Sequence, residues 1–84
     1  MMRIAFSRHT FNHFQSCPLD ELEGEISRTS IRLKLQDYSK SEADRNLYQQ
    51  EIDRLSVIKY ISQLRRGKLN REDFNLKVEL VTHQ

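Results

Sequence analysis

The chain has one cysteine, one proline and two glycines among its 84 residues. Each scarcity removes a class of structure. The lone Cys17 permits no intramolecular disulfide, a usage that fits a reducing compartment. Two glycines leave almost no room for a phosphate-cradling loop, where the backbone must approach its ligand at several points. No Gly-, Ser- or Pro-rich stretch marks a linker. Long apolar runs are also missing. None approaches the ~20 residues of a membrane span, and Met1 to Arg8 holds no stretch of the length a secretory signal uses. The expectation is one small cytoplasmic domain, residues 1–84, with no membrane association.

Apolar residues make up 37% of the chain and charged residues 31%. The usual apolar share is about 45–50%, and a domain this short buries only roughly 60% of its unfolded surface. A thin core with long polar faces is often completed by a partner or by a second copy. Net charge is only +2, but the charges are segregated. Residues 1–18 carry Arg3 and Arg8 and no acid. Asp20, Glu21, Glu23 and Glu25 then crowd together. Arg54, Lys59, Arg65, Arg66, Lys68 and Arg71 follow with no acid among them, +6 in eighteen residues.

The apolar spacing divides the chain into an N-terminal arm (1–17), a helical hairpin (18–66) and a C-terminal element (68–84). In the arm, Met2, Ile4 and Phe6 alternate at the strand period, while Phe11 and Phe14 stand at helical spacing. An irregular or short-strand segment is expected there, with its Phe residues anchored on the helices. Residues 18–38 read as a helix. Pro18 suits the first helical position, Asp20 and Glu21 complement the positive helix end, and Leu19, Leu22, Ile26 and Leu33 form a stripe through Thr29. Ile31, Leu35 and Tyr38 make a second, offset stripe, more apolar surface than one neighbour covers.

Ser39-Lys40-Ser41-Glu42 fits a capping box with Ser39 as the cap. The short break turns the chain into a second helix over 42–66, antiparallel to the first. Its apolar face runs through Ala43, Leu47, Tyr48, Ile52, Leu55, Ile58, Ile61 and Leu64. Leu55 and Ile58 are expected deep in the core against Leu22, Ile26 and Leu33, with Tyr48 and Tyr60 at its edge. Gly67 is placed to end the helix in the left-handed conformation. After it, Asn70 caps a short helix, with Glu72 and Asp73 in the first turn and Leu69 and Phe74 as a hydrophobic staple. The competing pattern alternates Phe74, Leu76, Val78 and Leu80, a strand that residues 2–7 would pair with.

The fold class expected is therefore mainly α, an antiparallel two-helix hairpin with a short C-terminal helix. The alternative is α+β, with residues 2–7 and 74–81 as paired strands.

Chemistry-bearing patterns are sparse. His9, His13 and Cys17 recur every four residues, which on one helix would align three metal-ligand types. A fourth ligand is not evident, and Pro18 interrupts a helix through Cys17, so no metal or cofactor is expected. Arg8 and His13 are too little for an acid–base site. The reading is a non-enzymatic protein-binding module, a regulator or inhibitor of a larger protein, with homo-oligomerisation as a further possibility. The candidate contact residues are Arg65, Arg66, Lys68 and Arg71 at the basic end, and Ile31, Leu35 and Tyr38 on the surplus stripe. The alternative is a nucleic-acid-binding regulator using the basic 54–71 region. Against it stand the small net charge and a single interleaved aromatic, Tyr60.

Overall fold

The computed structural model describes residues 3–82. In chain order they form β1 (Ile4–Ser7), α1 (Arg8–Ser16), α2 (Leu19–Leu35), α3 (Glu42–Arg65), α4 (Arg71–Lys77) and β2 (Val78–Val81). The described residues are mainly helical, and β1 and β2 make a two-stranded parallel sheet with Ile4 opposite Val78 and Ser7 opposite Val81. Met2, where the expected strand begins, lies outside the described residues, as do the last two positions of the C-terminal element.

Local signals account for most boundaries. Ser7 ends β1 and caps α1, its hydroxyl accepting from the Thr10 N–H. The helix in the arm was not expected, although the Phe11–Phe14 spacing belongs to it. Both rings are buried. Pro18 precedes α2 as its N-cap residue, one position outside the expected first turn. The α2 helix stops at Leu35, three residues short of the expected end, so Tyr38 lies in the connecting loop.

Ser41, not Ser39, caps α3: its hydroxyl accepts from the Asp44 N–H at 3.1 Å. Ser39 instead donates its N–H and its hydroxyl to the Asp37 carboxylate. Asp37 competes for Ser39 two residues away, a local turn that is tighter than the capping box it replaces. At the far end of α3, Gly67 adopts φ 76°. The Lys68 N–H reaches the Gln63 carbonyl and the Gly67 N–H the Leu64 carbonyl, the paired closure that a left-handed residue allows.

The two readings of the C-terminal element are both partly realised. Asn70 caps α4 by accepting from the Asp73 N–H at 2.7 Å, and the strand begins only at Val78. Phe74 is fully enclosed while Leu76 is 60% exposed, so the alternation through these two residues belongs to opposite faces of a helix, not to one face of a strand. The strands run parallel, and α1 to α4 supply the long crossover that a parallel pair requires.

The core gathers Phe6, Phe11, Phe14, Cys17, Leu22, Val57, Ile58, Ile61, Phe74 and Val78. It sits where β1, β2, α1 and α4 meet the first half of α2 and the second half of α3. Ile26 packs against it, whereas Leu33 and Leu55 are only half-buried. The expected depth of Leu55 is thus corrected: the core is centred about a turn further along α3, on Val57, Ile58 and Ile61. The reason is that α1 and α4 cover only that end of the helix. Between α2 and α3, Glu23 meets Ser62 and Arg66, Glu25 meets Arg54, and Arg32 meets Glu51. Thr29 is fully buried, and its hydroxyl has no hydrogen-bond partner among the described residues. Among those residues no helix is long and apolar enough to cross a membrane.

Candidate functional site

The four basic residues singled out in the sequence lie around the end of α3 and the start of α4, and three of them are engaged within the molecule. Arg65 donates to the Phe14 carbonyl at 2.9 Å, satisfying an acceptor near the end of α1. Arg66 pairs with Glu23 at 2.7 Å. The Arg71 guanidinium lies 5.1 Å from the centre of the Phe11 ring and 5.9 Å from that of Phe74, roofing the core. Further back, Arg54 reaches Glu25 at 3.5 Å and stands over the Phe14 ring. Among the described residues no ion pair involves Lys59 or Lys68, and both are exposed.

The two charge asymmetries in the sequence are therefore partly complements of each other: Glu23 meets Arg66 and Glu25 meets Arg54, whereas Glu21 turns to His13. Both paired acids titrate below their ordinary value, with the α3 arginines adding to a larger neighbouring effect in each case. Glu23 is held below the ordinary carboxylate value, first by the Ser62 hydroxyl, with burial opposing it and the charge and hydrogen bond of Arg66 lowering it further. Glu25 is likewise lowered, first by its hydrogen bond to Arg28 and then by Arg54. Segregated charge along a sequence does not by itself define an outward-facing patch. Its spacing gave no sign of which acids would meet which bases, because that depends on the register between two helices.

The apolar candidates lie at the opposite end of the helices. Ile31 is 55% exposed and Leu35 81%. On α3, Leu47 and Tyr48 are each 42% exposed. Tyr38 does not continue the Ile31–Leu35 stripe. It is buried in the loop, its ring 5.2 Å from that of Tyr48 and its hydroxyl donating to Gln36. Beside this aromatic pair runs a shallow groove of about 330 Å³ lined by Leu33, Tyr38, Arg45 and Tyr48 among others. Leu47 and Tyr48 were expected on the core face of α3. They stand free because neither α1 nor α4 extends along this half of the helix.

No family model, no curated protein and no solved structure matches the chain. Any functional reading rests on the side chains themselves.

One cluster combines groups of different chemistry. At the corner between α1 and α2, ligand atoms of His13, Cys17 and Glu21 all lie within 4.8 Å of one another. The His13 Nε2 is 3.3 Å from a Glu21 carboxylate oxygen. The sequence aligned His9, His13 and Cys17 and showed no further donor; Glu21, beyond the proline, was not counted among them. The extended backbone of Cys17 and Pro18 supplies it by folding α2 back across the end of α1. His9, one turn before His13, lines the same groove as His13 and Glu21 without joining the cluster. A concavity of about 750 Å³ lies between β1 and the α3 residues Gln49, Gln50, Asp53 and Arg54.

Proposed function

We propose that the protein is a non-enzymatic protein-binding module, a regulator or inhibitor of a larger protein, and that it binds through the loop end of an antiparallel α2–α3 hairpin. The observation that carries this reading is that Ile31, Leu35, Leu47 and Tyr48 are all substantially exposed and stand on the stretches of α2 and α3 that flank the connecting loop. Single exposed apolar side chains are common on any protein, but several collected in one place mark contact surfaces. Ile31 and Leu35 are four residues apart and share one face of α2, the spacing by which a helix anchors in an apolar groove. The Tyr38–Tyr48 contact and the 2.7 Å Arg32–Glu51 pair tie that part of α2 to the first half of α3. Tyr48 adds a large apolar face with a hydroxyl that tolerates water, a combination favoured at interfaces. Exposed charged residues, Arg32, Lys34, Asp37 and Arg45, stand on the same stretches of chain, as a polar rim would require. The occupant favoured is a partner protein with an apolar groove, and a second copy of this chain is the other outcome of the test.

The test replaces both α2 residues in one variant, Ile31→Asp with Leu35→Asp. Both side chains are exposed, so the fold should be retained. A control variant, Lys59→Glu with Lys68→Glu, alters the unpaired basic residues instead. Self-association, read by sedimentation over a concentration series, or binding of an identified partner should be lost in the first variant and kept in the second. The reverse result, with binding that weakens steeply as salt rises, would replace this reading with a nucleic-acid-binding one.

A further inference from the structure

We propose that His13, Cys17 and Glu21 form a zinc-binding site at the α1–α2 corner. The three side chains offer an imidazole nitrogen, a thiol sulfur and a carboxylate oxygen. These are the donor types of zinc centres, and three protein ligands with one open position is an established arrangement. Bonds of about 2.0–2.3 Å around a tetrahedral zinc place the ligand atoms roughly 3.3–3.8 Å apart. The His13–Glu21 separation of 3.3 Å already matches, and the 4.8 Å limit on the other pairs leaves about an ångström for side-chain rotation to close.

The backbone holds the donors in place without help from a metal. His13 is on the last turns of α1, Cys17 is its C-cap residue, and Glu21 is in the first turn of α2. The Cys17 N–H donates to the His13 carbonyl at 2.9 Å, which fixes the spacing of the first two. Pro18, with φ −56°, sets the direction in which α2 leaves. Cys17 is buried, while His13 and Glu21 are about half exposed, so an ion would sit at the surface with its inner side on sulfur. That leaves the fourth position facing the groove of about 440 Å³ that His9 also lines.

The charges suit a divalent ion. A bound thiolate and carboxylate together balance the two positive charges, and the imidazole binds neutral. The Arg65 guanidinium, 4.0 Å from the Cys17 sulfur and anchored on the Phe14 carbonyl, is placed as an outer partner of the ligating sulfur. The Cys17 thiol, which donates to the Phe14 carbonyl at 3.7 Å, lies within reach of both His13 and Glu21. The site links the end of α1 to the start of α2, so zinc would brace the corner against which Phe14 and Leu22 pack.

The test uses the full, reduced protein and cobalt(II) as a spectroscopic substitute for zinc. One equivalent should bind with a sulfur-to-cobalt charge-transfer band and the intense visible bands of a tetrahedral ion, and zinc should displace it. Cys17→Ser should abolish the charge-transfer band. Because that cysteine is buried in the core, where a replacement also tests folding, the exposed Glu21→Gln provides a second arm. It should lower cobalt affinity by at least the ~10–100-fold that the loss of even an outer-shell partner costs, with an unchanged circular dichroism spectrum. Zinc should raise the melting temperature of the wild type and not that of Glu21→Gln. A sulfur-free octahedral cobalt spectrum, a charge-transfer band that survives Cys17→Ser, or equal affinity in Glu21→Gln would overturn the proposal.

Discussion

Along the single helix α3, Val57, Ile58 and Ile61 are fully enclosed, while Ala43, Leu47 and Tyr48 stand in solvent. The helix has similar apolar spacing throughout. What differs is its surroundings. The second half is covered by α1, α4 and the sheet, and the first half has α2 and the loop beside it, with β1 facing Gln49 and Gln50 across an open groove. Polar contacts follow the same division. Near the core, Glu23 and Glu25 of α2 are matched by Ser62, Arg66 and Arg54 of α3, whereas at the loop end Arg32–Glu51 is the cross-helix ion pair among the described residues. A helix can thus carry one sequence pattern and still be enclosed at one end and exposed at the other.

The comparison is sharpest in the cost of removing apolar side chains. Ile58→Ala should destabilise by about 2–5 kcal/mol, as large-to-small changes in a closed core do. Leu35→Ala should stay within about 0.5 kcal/mol, with half-buried Leu55→Ala between them at about 1–2 kcal/mol. Urea denaturation of the three variants measures this, and a cost for Leu35→Ala equal to that of Ile58→Ala would erase the distinction between the ends.

At the loop end the largest single effect should come from a cap. Ser41→Ala should cost roughly 0.5–2 kcal/mol by leaving the Asp44 N–H without its acceptor, while Ser39→Ala, which breaks only local turn bonds, should cost less. The ratio of the two costs in thermal melts tests the helix start.

Thr29 gives an effect of opposite sign. Its enclosed hydroxyl is unpaired among the described residues, and leaving such a group unsatisfied costs about 1–3 kcal/mol. Thr29→Val keeps the shape and should stabilise by about 1 kcal/mol. Destabilisation would mean that water or the Glu25 carbonyl satisfies the hydroxyl in solution.

The ion pairs near the core predict a pH dependence. Glu23 and Glu25 titrate below their ordinary value of 4.5 in the folded chain. Groups lowered in this way add stability that is present above the unfolded value and is lost as pH falls through the folded one. The denaturation midpoint should therefore be level from neutrality down to about pH 5 and then decline. Glu23→Gln should make that decline shallower, and an unchanged slope would show that the pair contributes nothing.

Much of the fold was legible because its signals are local. Asn70, Gly67 and the Leu22–Ile26–Thr29 stripe each act within a turn or two of their own position, and each is found where its chemistry places it. The failures share a different cause. Ser39 lost the capping role because Asp37 competes for it, a choice between two short-range bonds of similar strength. Leu55 and Leu47 were assigned to the core because spacing gives the face of a helix but not how far along it the neighbours extend. Of the candidate contact residues, Ile31 and Leu35 could be read as surplus to one neighbour. The internal engagement of Arg65, Arg66 and Arg71 could not, since it depends on contacts with Phe14, Glu23 and Phe11 that are distant in sequence. The union of His13 and Cys17 with Glu21 was hidden for a similar reason: its geometry is set by the bend at Pro18.

The parallel pairing of Ile4 with Val78 has a consequence for the order of folding. Joining β1 to β2 closes a loop of roughly seventy residues, whereas α2 meets α3 across a short connection, and the entropy of closure rises with the logarithm of loop length. If the helices assemble first, that separation shrinks to the distance between their ends, and the strands meet at little further cost. The sheet would then form after the rate-limiting step. Weakening it, as Val78→Ala does, should speed unfolding and leave the refolding rate almost untouched. The clasp between β1 and β2 would govern how long the folded molecule lasts, and the helices how quickly it is made.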